Sequence, residues 1–263
     1  MQPWIDLKQI RTRSPLVHNV TNYVVMNTTA NALLALGASP VMAHAIEEVE
    51  QMVSIASALV LNIGTLSRPW IDSMIKAGRI ARQRGIPIIL DPVGSGATTF
   101  RTEMAALLIA ETSPSIIRGN ASEILSLTLE SAARTKGVDS TIPTTEVIDA
   151  AQSLARRAAC VVSISGPTDI IVDGSSIARV SNGHPMMPRV TGLGCTSSAL
   201  TGAFAAVNAS RFEAAVNTMI VVGIAGEIAA ERSTGPGSLQ VNFLDALYQL
   251  TEWDITSRMK VLV

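Results

Sequence analysis

The sequence predicts an α/β fold, a single domain over residues 1–263 with a mainly parallel central sheet and helices on both of its faces. Short apolar runs that end in glycine or proline alternate along the chain with longer segments of helical character. Alternation of this kind gives a parallel sheet that helices cover on each side. Hydrophobic residues make up 48% of the chain and charged residues only 16%, which indicates a large buried core. No linker, low-complexity tract or clear repeat divides the chain.

The clearest strands and helices lie in the first two thirds of the chain. A strand over residues 58–64 ends in a glycine turn, and Ser67 and Pro69 then open a helix that runs to Gly85. The next strand, residues 87–92, stops at a proline. Further strands are predicted over residues 115–120 and 160–166, helices over 104–111, 122–129 and 144–159, and a hairpin over 169–180 that turns at Asp173 and Gly174.

The last third of the chain is predicted to be nearly all helical from Cys195 onward. Its most apolar part, residues 214–230, is interrupted by Asn217 and Glu227 and is shorter than a membrane span requires. We therefore expect a buried helix there. Residues 135–145, by contrast, are polar and contain glycine and proline, which predicts an exposed loop.

Composition argues against several classes of partner. Lys plus Arg number 20 against 21 for Asp plus Glu, and no basic stripe is present, so we expect no nucleic-acid partner. Cys160 and Cys195 are too few for a disulfide framework and fit a reducing, cytoplasmic setting. The first residues lack the charged start and long apolar run of a signal peptide, so we expect no membrane association.

Polar residues and glycines cluster where the predicted strands end. Parallel sheets bind ligands at the carboxyl ends of their strands, so these residues are expected to share one composite site. They are Asn62, Gly64, Asp91, Arg118, Asn120, Gly166 and Gly192.

The most informative motif is Thr-Gly-Leu-Gly-Cys-Thr-Ser-Ser-Ala over residues 191–199. Gly192 and Gly194 are predicted to form a tight turn that lets a ligand approach the backbone, and the small residues after them start a helix. The free N–H groups and the positive dipole end of a new helix favour an anion, with Cys195 beside it. The alternative is a plain loop-to-helix turn in which Cys195 packs as a small apolar residue.

Two carboxylates lie at or just past predicted strand ends. Asp91 ends one strand and Glu123 follows the next, so together they could hold a hydrated Mg²⁺ that also contacts phosphates. The alternatives are that Asp91 caps the turn before Pro92 and that Glu123 is a first-turn residue suited to its helix dipole.

Two further residues have both a binding and a structural interpretation. Arg118 could clamp a phosphate or form a surface salt bridge. Met42 could line an apolar ligand pocket or pack in the core. No Walker loop is present, Ser197 replaces the third glycine of the dinucleotide-binding fingerprint, and the three histidines are too dispersed in sequence to suggest a zinc site.

Taken together, these segments resemble the hydroxyethylthiazole kinase family of the ribokinase-like superfamily. The resemblance covers nearly the whole chain in the expected order. The matching segments are residues 14–18, 35–42, 61–66, 90–93, 117–123, 191–195 and 235–238.

The resemblance implies a ribokinase-like fold and ATP-dependent phosphorylation of the primary alcohol of 4-methyl-5-(2-hydroxyethyl)thiazole, in thiamine salvage. It also implies Mg²⁺ and a homotrimer with active sites shared between subunits. By the same resemblance, the thiazole is contacted by Met42, Asn22, Val24, Gly64, Thr65 and Gly192, the ATP phosphates by Arg118 and Ser165, and Mg²⁺ by Asp91 and Glu123, while Gly192, Gly194 and Cys195 lie where phosphoryl transfer occurs.

One position departs from the wider superfamily. Most ribokinase-like sugar kinases have an aspartate base after the second glycine, whereas this chain has Cys195, as the thiazole kinases do. The identity of the base therefore stays open. The alternatives are an ATP-dependent dehydratase of nicotinamide nucleotide hydrates, a hydrolase that uses Cys195 as nucleophile, and a nucleotide-binding subunit that is not an enzyme.

Overall fold

The structure is a computed structural model that describes residues 1–128 and 144–263. Within these residues one sheet of nine strands has the order β2-β1-β3-β4-β5-β6-β7-β8-β9. Strands β1 to β6 pair in parallel, and β7 to β9 are antiparallel. The strands are β1 Leu16–Val20, β2 Ser39–Met42, β3 Ala58–Asn62, β4 Ile88–Asp91, β5 Ile116–Asn120, β6 Val161–Ser165, β7 Asp169–Val172, β8 Ile177–Val180 and β9 Val261–Leu262.

Eleven α-helices flank this sheet in the described part of the chain. They are α1 Pro3–Arg13, α2 Met26–Leu36, α3 Val49–Ile55, α4 Arg68–Arg84, α5 Thr99–Thr112, α6 Ala121–Ser126, α7 Thr144–Ala158, α8 Leu193–Val207, α9 Arg211–Glu231, α10 Pro236–Gln249 and α11 Glu252–Arg258.

The core has two layers, one on each face of the sheet, so the prediction of a mainly parallel sheet with helices on both faces is confirmed. One buried cluster joins α1, α2, α8, α9 and α10 to residues such as Val17 and Val60, and the other joins α3 to α7 to residues such as Leu59. Gly202 brings α8 close to the sheet, since a Cβ there would lie 3.0 Å from a methyl of Val60.

Local sequence signals predicted the position of the elements from β3 to β8 but not every boundary, and no prediction was made for α1, β1, α2, β2 and α3. Helix α4 ends at Gly85, whose φ of +68° is left-handed, as the sequence predicts. Helix α5 begins five residues earlier than predicted because the Thr98 side chain accepts a hydrogen bond from Arg101 N and caps it. Helix α6 ends at Ser126, and residue 129 of the predicted helix lies outside the described residues.

The predicted loop over residues 135–145 lies mostly outside the described residues, and its last two residues, Thr144 and Thr145, begin α7. The hairpin is confirmed, because β7 and β8 pair antiparallel around Asp173.

Helix α9 is buried, as predicted, but it is longer than residues 214–230 because Ser210 caps its start. Its 21 residues are long and apolar enough to cross a membrane by length and composition. However, 83% of its most apolar window is buried inside the molecule, so it is a core helix. Asn217 does not interrupt it, because its amide donates to the buried Asp6 carboxylate at 2.7 Å.

The parallel strands end at one edge of the sheet. Asn62 of β3 pairs with Asp91 of β4, and Asn120 of β5 pairs with Ser165 of β6. Helix α8 begins over this edge. The Gly194 carbonyl accepts a hydrogen bond from Arg118 of β5, and the Ser198 hydroxyl donates to Asp91 of β4. The polar strand ends and the glycine motif therefore meet, as the sequence predicts.

Candidate active site

Gly192 forms the turn into α8, with a left-handed φ of +84°. A Cβ at this position would also lie 2.5 Å from Val25 Cγ1, so both conformation and space require glycine. Gly194 is not part of the turn, contrary to the prediction; it belongs to the first turn of the helix. The first N–H groups of α8 have no partner within the helix, which makes this end suited to an anion.

Arg118 lies beneath this helix start and is only 6% exposed. Its Nη1 donates to the Gly194 carbonyl oxygen at 2.9 Å, and its Nε has no hydrogen-bond partner within the described residues. The surface salt bridge considered for Arg118 is therefore wrong. A buried guanidinium with an unused donor favours an anionic ligand.

Asp91 is a nearly buried carboxylate at the end of β4, with 3% of its surface exposed. Its Oδ2 accepts hydrogen bonds from Asn62 Nδ2 at 2.7 Å and from Ser198 Oγ at 2.8 Å. Burial raises the pKa of Asp91 to about 6; the Arg118 charge lowers this pKa and the Glu123 charge raises it. A nearby cation would relieve the cost of ionising this group.

Glu123 belongs to the capping box at the start of α6. Its Oε2 accepts from Asn120 N at 2.8 Å, and its Oε1 accepts from Gly94 N at 2.8 Å. The first-turn alternative is thus confirmed, with a capping box in addition, and the same side chain also holds the β4–α5 loop.

Asp91 and Glu123 fit a metal ion only if a bound ligand and water supply the remaining donor atoms. No group of three or more His, Cys, Asp or Glu side chains suited to a metal occurs in residues 1–128 and 144–263. The charges of Asp91 and Glu123 are nevertheless close enough to affect one another. Two carboxylates with phosphate oxygens and water are a typical donor set for Mg²⁺.

Cys195 is half-buried and accepts a long hydrogen bond from Asn22 Nδ2, at 3.5 Å from Sγ. Burial, with a smaller effect of the Asp91 charge, raises the pKa of the thiol to about 11. A nucleophilic cysteine needs a thiolate and a nearby base. His18 instead contacts the Ala43 carbonyl, His44 packs on Trp70, and His184 Nδ1 accepts from Met186 N, so the hydrolase alternative has no support.

Two adjoining loops bring together four of the six predicted thiazole residues, namely Asn22, Val24, Gly64 and Thr65. Asn22 Oδ1 accepts from Val24 N at 3.1 Å, and Thr65 Oγ1 accepts from Tyr23 N at 3.2 Å. Gly64 packs against Asn22, since a Cβ on Gly64 would lie 2.5 Å from Asn22 Nδ2. These contacts join the loop after β1 to the loop after β3.

Met42 and Ser165 lie further along the same edge of the sheet. Met42 ends β2, is half-buried and is paired with Asn19 of β1. Ser165 ends β6, and its hydroxyl donates to the Gly119 carbonyl at 3.4 Å. Both residues therefore lie at the carboxyl edge, on either side of Asp91 in the order of the strands.

Sequence reasoning missed two residues that shape this site. Ser198, three residues after Cys195 on α8, faces Asp91, and the helical repeat could have indicated this. Arg101 donates to the carbonyls of Ile63, Gly64 and Val93 and so holds the β3 and β4 loops together. No sequence pattern indicated that role.

Comparison with known proteins identifies the family. Residues 7–253 match the model of the hydroxyethylthiazole kinase family. A hydroxyethylthiazole kinase of Syntrophus aciditrophicus is 60% identical over 259 residues, covering 98% of this chain and 96% of that protein. One of Nitratidesulfovibrio vulgaris is 54% identical over 258 residues, covering 98% and 96%. The chain belongs to the hydroxyethylthiazole kinase family.

Solved structures agree with this membership. The hydroxyethylthiazole kinase of Pyrococcus horikoshii OT3 is 45% identical, with a TM-score of 0.92 over 99% of this chain and 98% of that one. A pyridoxal kinase of Staphylococcus aureus in complex with AMP-PCP has a TM-score of 0.64 at 17% identity, over 81% and 88% of the two chains. The latter likeness concerns the fold alone, which is ribokinase-like as expected.

Proposed function

We propose that this member of the hydroxyethylthiazole kinase family transfers the γ-phosphoryl group of ATP to the primary alcohol of 4-methyl-5-(2-hydroxyethyl)thiazole, in thiamine salvage. The observation that carries the proposal is the convergence of Arg118, the first turn of α8 and Asp91 at one edge of the sheet. Phosphoryl transfer needs mainly positioning and stabilisation of negative charge; Arg118 and the N–H groups of α8 supply the stabilisation directly, and Asp91 contributes through a bound cation.

One end of the site binds the ATP phosphates, and the other binds the acceptor alcohol. Arg118 and Ser165 bind the ATP phosphates, while the N–H groups from Gly192 to Cys195 stabilise charge on the transferring group. Asp91 and Glu123 would hold Mg²⁺, which neutralises phosphate charge when it is bound.

The loops at the other end bind the acceptor alcohol. Asn22, Val24, Gly64 and Thr65 line the thiazole pocket together with Met42 and the backbone of Gly192. Cys195 lies where the alcohol meets the γ-phosphate. Its raised pKa keeps it a neutral thiol, so it supplies shape and a low-dielectric contact rather than a negative charge.

The proposal extends to the assembly, a homotrimer of one-domain chains with active sites between subunits. It is supported by apolar residues around the edge strand β2, the first strand in the order of the sheet. Val24, in the loop after β1, is 62% exposed; Leu34 of α2, the helix that leads into β2, is 58% exposed; and Met42, which ends β2, is half-buried. A second subunit at this edge would complete the thiazole pocket.

We also propose a cytoplasmic protein without nucleic-acid or membrane partners. Two free cysteines support a reducing compartment, and a net charge of −1 gives no basis for binding a polyanion.

The test is ATP turnover by the purified protein with and without the thiazole alcohol. The expected result is ADP and a phosphate monoester of the alcohol in equal amounts, detected by mass spectrometry, with little turnover when the alcohol is left out. ATP consumption that does not depend on the alcohol but increases when a nicotinamide nucleotide hydrate is added would contradict the proposal. That result would support the dehydratase alternative.

A further inference from the structure

Asn62 is a buried amide at the carboxyl edge of the sheet, with hydrogen bonds at both of its ends. It ends β3 and is only 1% exposed. Its Nδ2 donates to Asp91 Oδ2 at 2.7 Å. Its Oδ1 accepts from Asn22 Nδ2 at 2.7 Å and from Gly64 N at 2.9 Å. One buried amide thus joins the loop after β1, the loop after β3 and the end of β4.

The partners fix which way this amide points. An N–H group of Gly64 and the NH₂ group of Asn22 are donors, so they require the oxygen of Asn62 between them. The ionised carboxylate of Asp91 only accepts, so it requires the NH₂ group. A flipped amide would lose all three contacts and leave buried groups unsatisfied, which is costly.

We propose that Asn62 is a positioning residue that couples the thiazole-binding loops to the carboxylate facing the phosphates. The inference rests on the proposed kinase function, whose acceptor pocket and phosphate site Asn62 lies between. Its oxygen sets the position of Asn22 and Gly64, and its nitrogen sets the rotamer of Asp91.

A disturbance at Asn62 has a direct route to the reacting groups. Asn22 is confined, because its Oδ1 holds Val24 N, its Nδ2 reaches Cys195 Sγ, and Gly64 packs on its amide. If Asn62 no longer holds Asn22, the amide moves relative to both Val24 and Cys195. On the other side, Asp91 would keep only the hydrogen bond from Ser198.

Two substitutions separate the two ends of the amide. Asn62→Asp keeps an oxygen acceptor for Asn22 and Gly64, but it replaces the amide donor with a second carboxyl oxygen against Asp91 Oδ2, where the pair repels or shares a proton. Asn62→Ala removes both the acceptor and the donor. A third variant, Ser198→Ala, removes the other donor to Asp91 Oδ2 without touching Asn22 or Gly64.

The readouts are kcat, KM for the alcohol, and the Kd of the alcohol measured by calorimetry without ATP or Mg²⁺. We expect Asn62→Asp and Ser198→Ala to lower kcat about tenfold or more, as loss of a hydrogen bond to a charged group predicts. Their Kd for the alcohol should stay within about threefold of wild type, and Asn62→Ala should weaken it by about tenfold as well as lowering kcat.

The matched control is Asn19→Ala, a buried asparagine of the neighbouring strand whose amide donates only to the Val17 carbonyl within the described residues. It should leave kcat and alcohol binding within about twofold of wild type, since its amide makes no hydrogen bond to Asn22, Gly64 or Asp91 within the described residues. Thermal melting of every variant shows which of them fold.

The outcomes are distinct. If Asn62→Asp and Asn62→Ala weaken alcohol binding equally, or if neither variant changes binding or kcat, Asn62 does not couple the two ends. If Asn62→Ala does not fold, Asn62→Asp and Ser198→Ala still test the proposal. Both variants must then lower kcat while the Kd for the alcohol stays unchanged. A wild-type protein that neither binds nor phosphorylates the alcohol refutes the proposed function itself.

Discussion

Asp91 lies at the proposed phosphate site, and its burial makes its ionisation unfavourable for the stability of the fold. Its pKa of about 6 lies above the ordinary value of 3.8, so the folded state binds the proton more tightly than the unfolded state does. The stabilisation from this proton is complete below pH 4 and is lost as the pH rises through 6. At neutral pH and without Mg²⁺, the ionised Asp91 therefore destabilises the protein.

Asp91→Asn is expected to raise stability at pH 7.5 by up to about 3 kcal/mol, since a shift of one pKa unit corresponds to about 1.4 kcal/mol. Near pH 4 the variant and the wild type should melt alike. Thermal melting in EDTA at both pH values measures the difference, and activity at pH 7.5 should be lost. A variant that is less stable at pH 7.5, or a difference that does not change with pH, would contradict this account.

Cys195 gives the second prediction at the residue scale. Because its thiol pKa is about 11 and the group that contacts it is an amide, we expect Cys195→Ala to keep measurable phosphorylation. Even if the thiol did accept the proton of the alcohol, its loss would cost roughly 10²–10⁴-fold at most. Cys195→Asp should also remain active, because a carboxylate at this position can accept the proton of the alcohol.

The measurement is product formation by both variants, alongside mass spectrometry of the intact wild-type enzyme during turnover. A covalent adduct on Cys195, together with an inactive Cys195→Ala variant, would overturn direct transfer from ATP.

At the scale of an element, Glu123 links the start of α6 to the β4–α5 loop. Glu123→Gln turns one acceptor into an NH₂ group that faces either Asn120 N or Gly94 N. We expect a folded protein with about 1–3 kcal/mol less stability and with most of its turnover lost, because an amide also holds a metal–phosphate complex poorly.

Ser126→Ala is the control for the structural part of that loss. It removes a hydrogen bond of 2.7 Å between α6 and Ser95 of the same loop but leaves the carboxylate in place. Melting and turnover at several Mg²⁺ concentrations separate the two effects. Full activity of Glu123→Gln at ordinary Mg²⁺ concentrations would rule out its metal role.

The elements from β3 to β8 were largely predictable, because their signals are local, whereas those before residue 58 were not predicted. Gly85 ends α4 because glycine readily adopts the left-handed conformation found there. Pro92 follows β4 because proline has no N–H group with which to continue the sheet. The start of α5 was missed because the cap at Thr98 precedes a polar, uninformative stretch. Propensity alone does not reveal which of several threonines caps a helix.

The site was predictable as a location but not as a network. The carboxyl ends of the parallel strands had to meet, and that rule brought Asp91 and Arg118 together. The hydrogen bond between Asn22 and Cys195 joins residues 173 positions apart and depends on where α8 lies on the sheet. Strand register and helix placement arise from packing of the whole core, which no local pattern encodes.

At the scale of the whole molecule, the remaining question is what covers the β2 edge. The proposed trimer predicts sedimentation at three times the chain mass of 27.7 kDa. We expect Leu34→Arg to break the trimer, because it puts a charge among apolar residues that a second copy would desolvate. Since Leu34 is 58% exposed in the single chain, the fold and its melting should survive.

Leu262→Arg is the matched control, because Leu262 is 71% exposed and lies on β9, at the opposite edge of the sheet. It should leave assembly and activity intact. If the thiazole pocket needs two subunits, Leu34→Arg should lose alcohol binding together with assembly, in one transition over protein concentration. A wild-type chain that sediments as an active monomer, or a monomeric Leu34→Arg variant with an unchanged Kd for the alcohol, would mean that one chain forms the whole pocket.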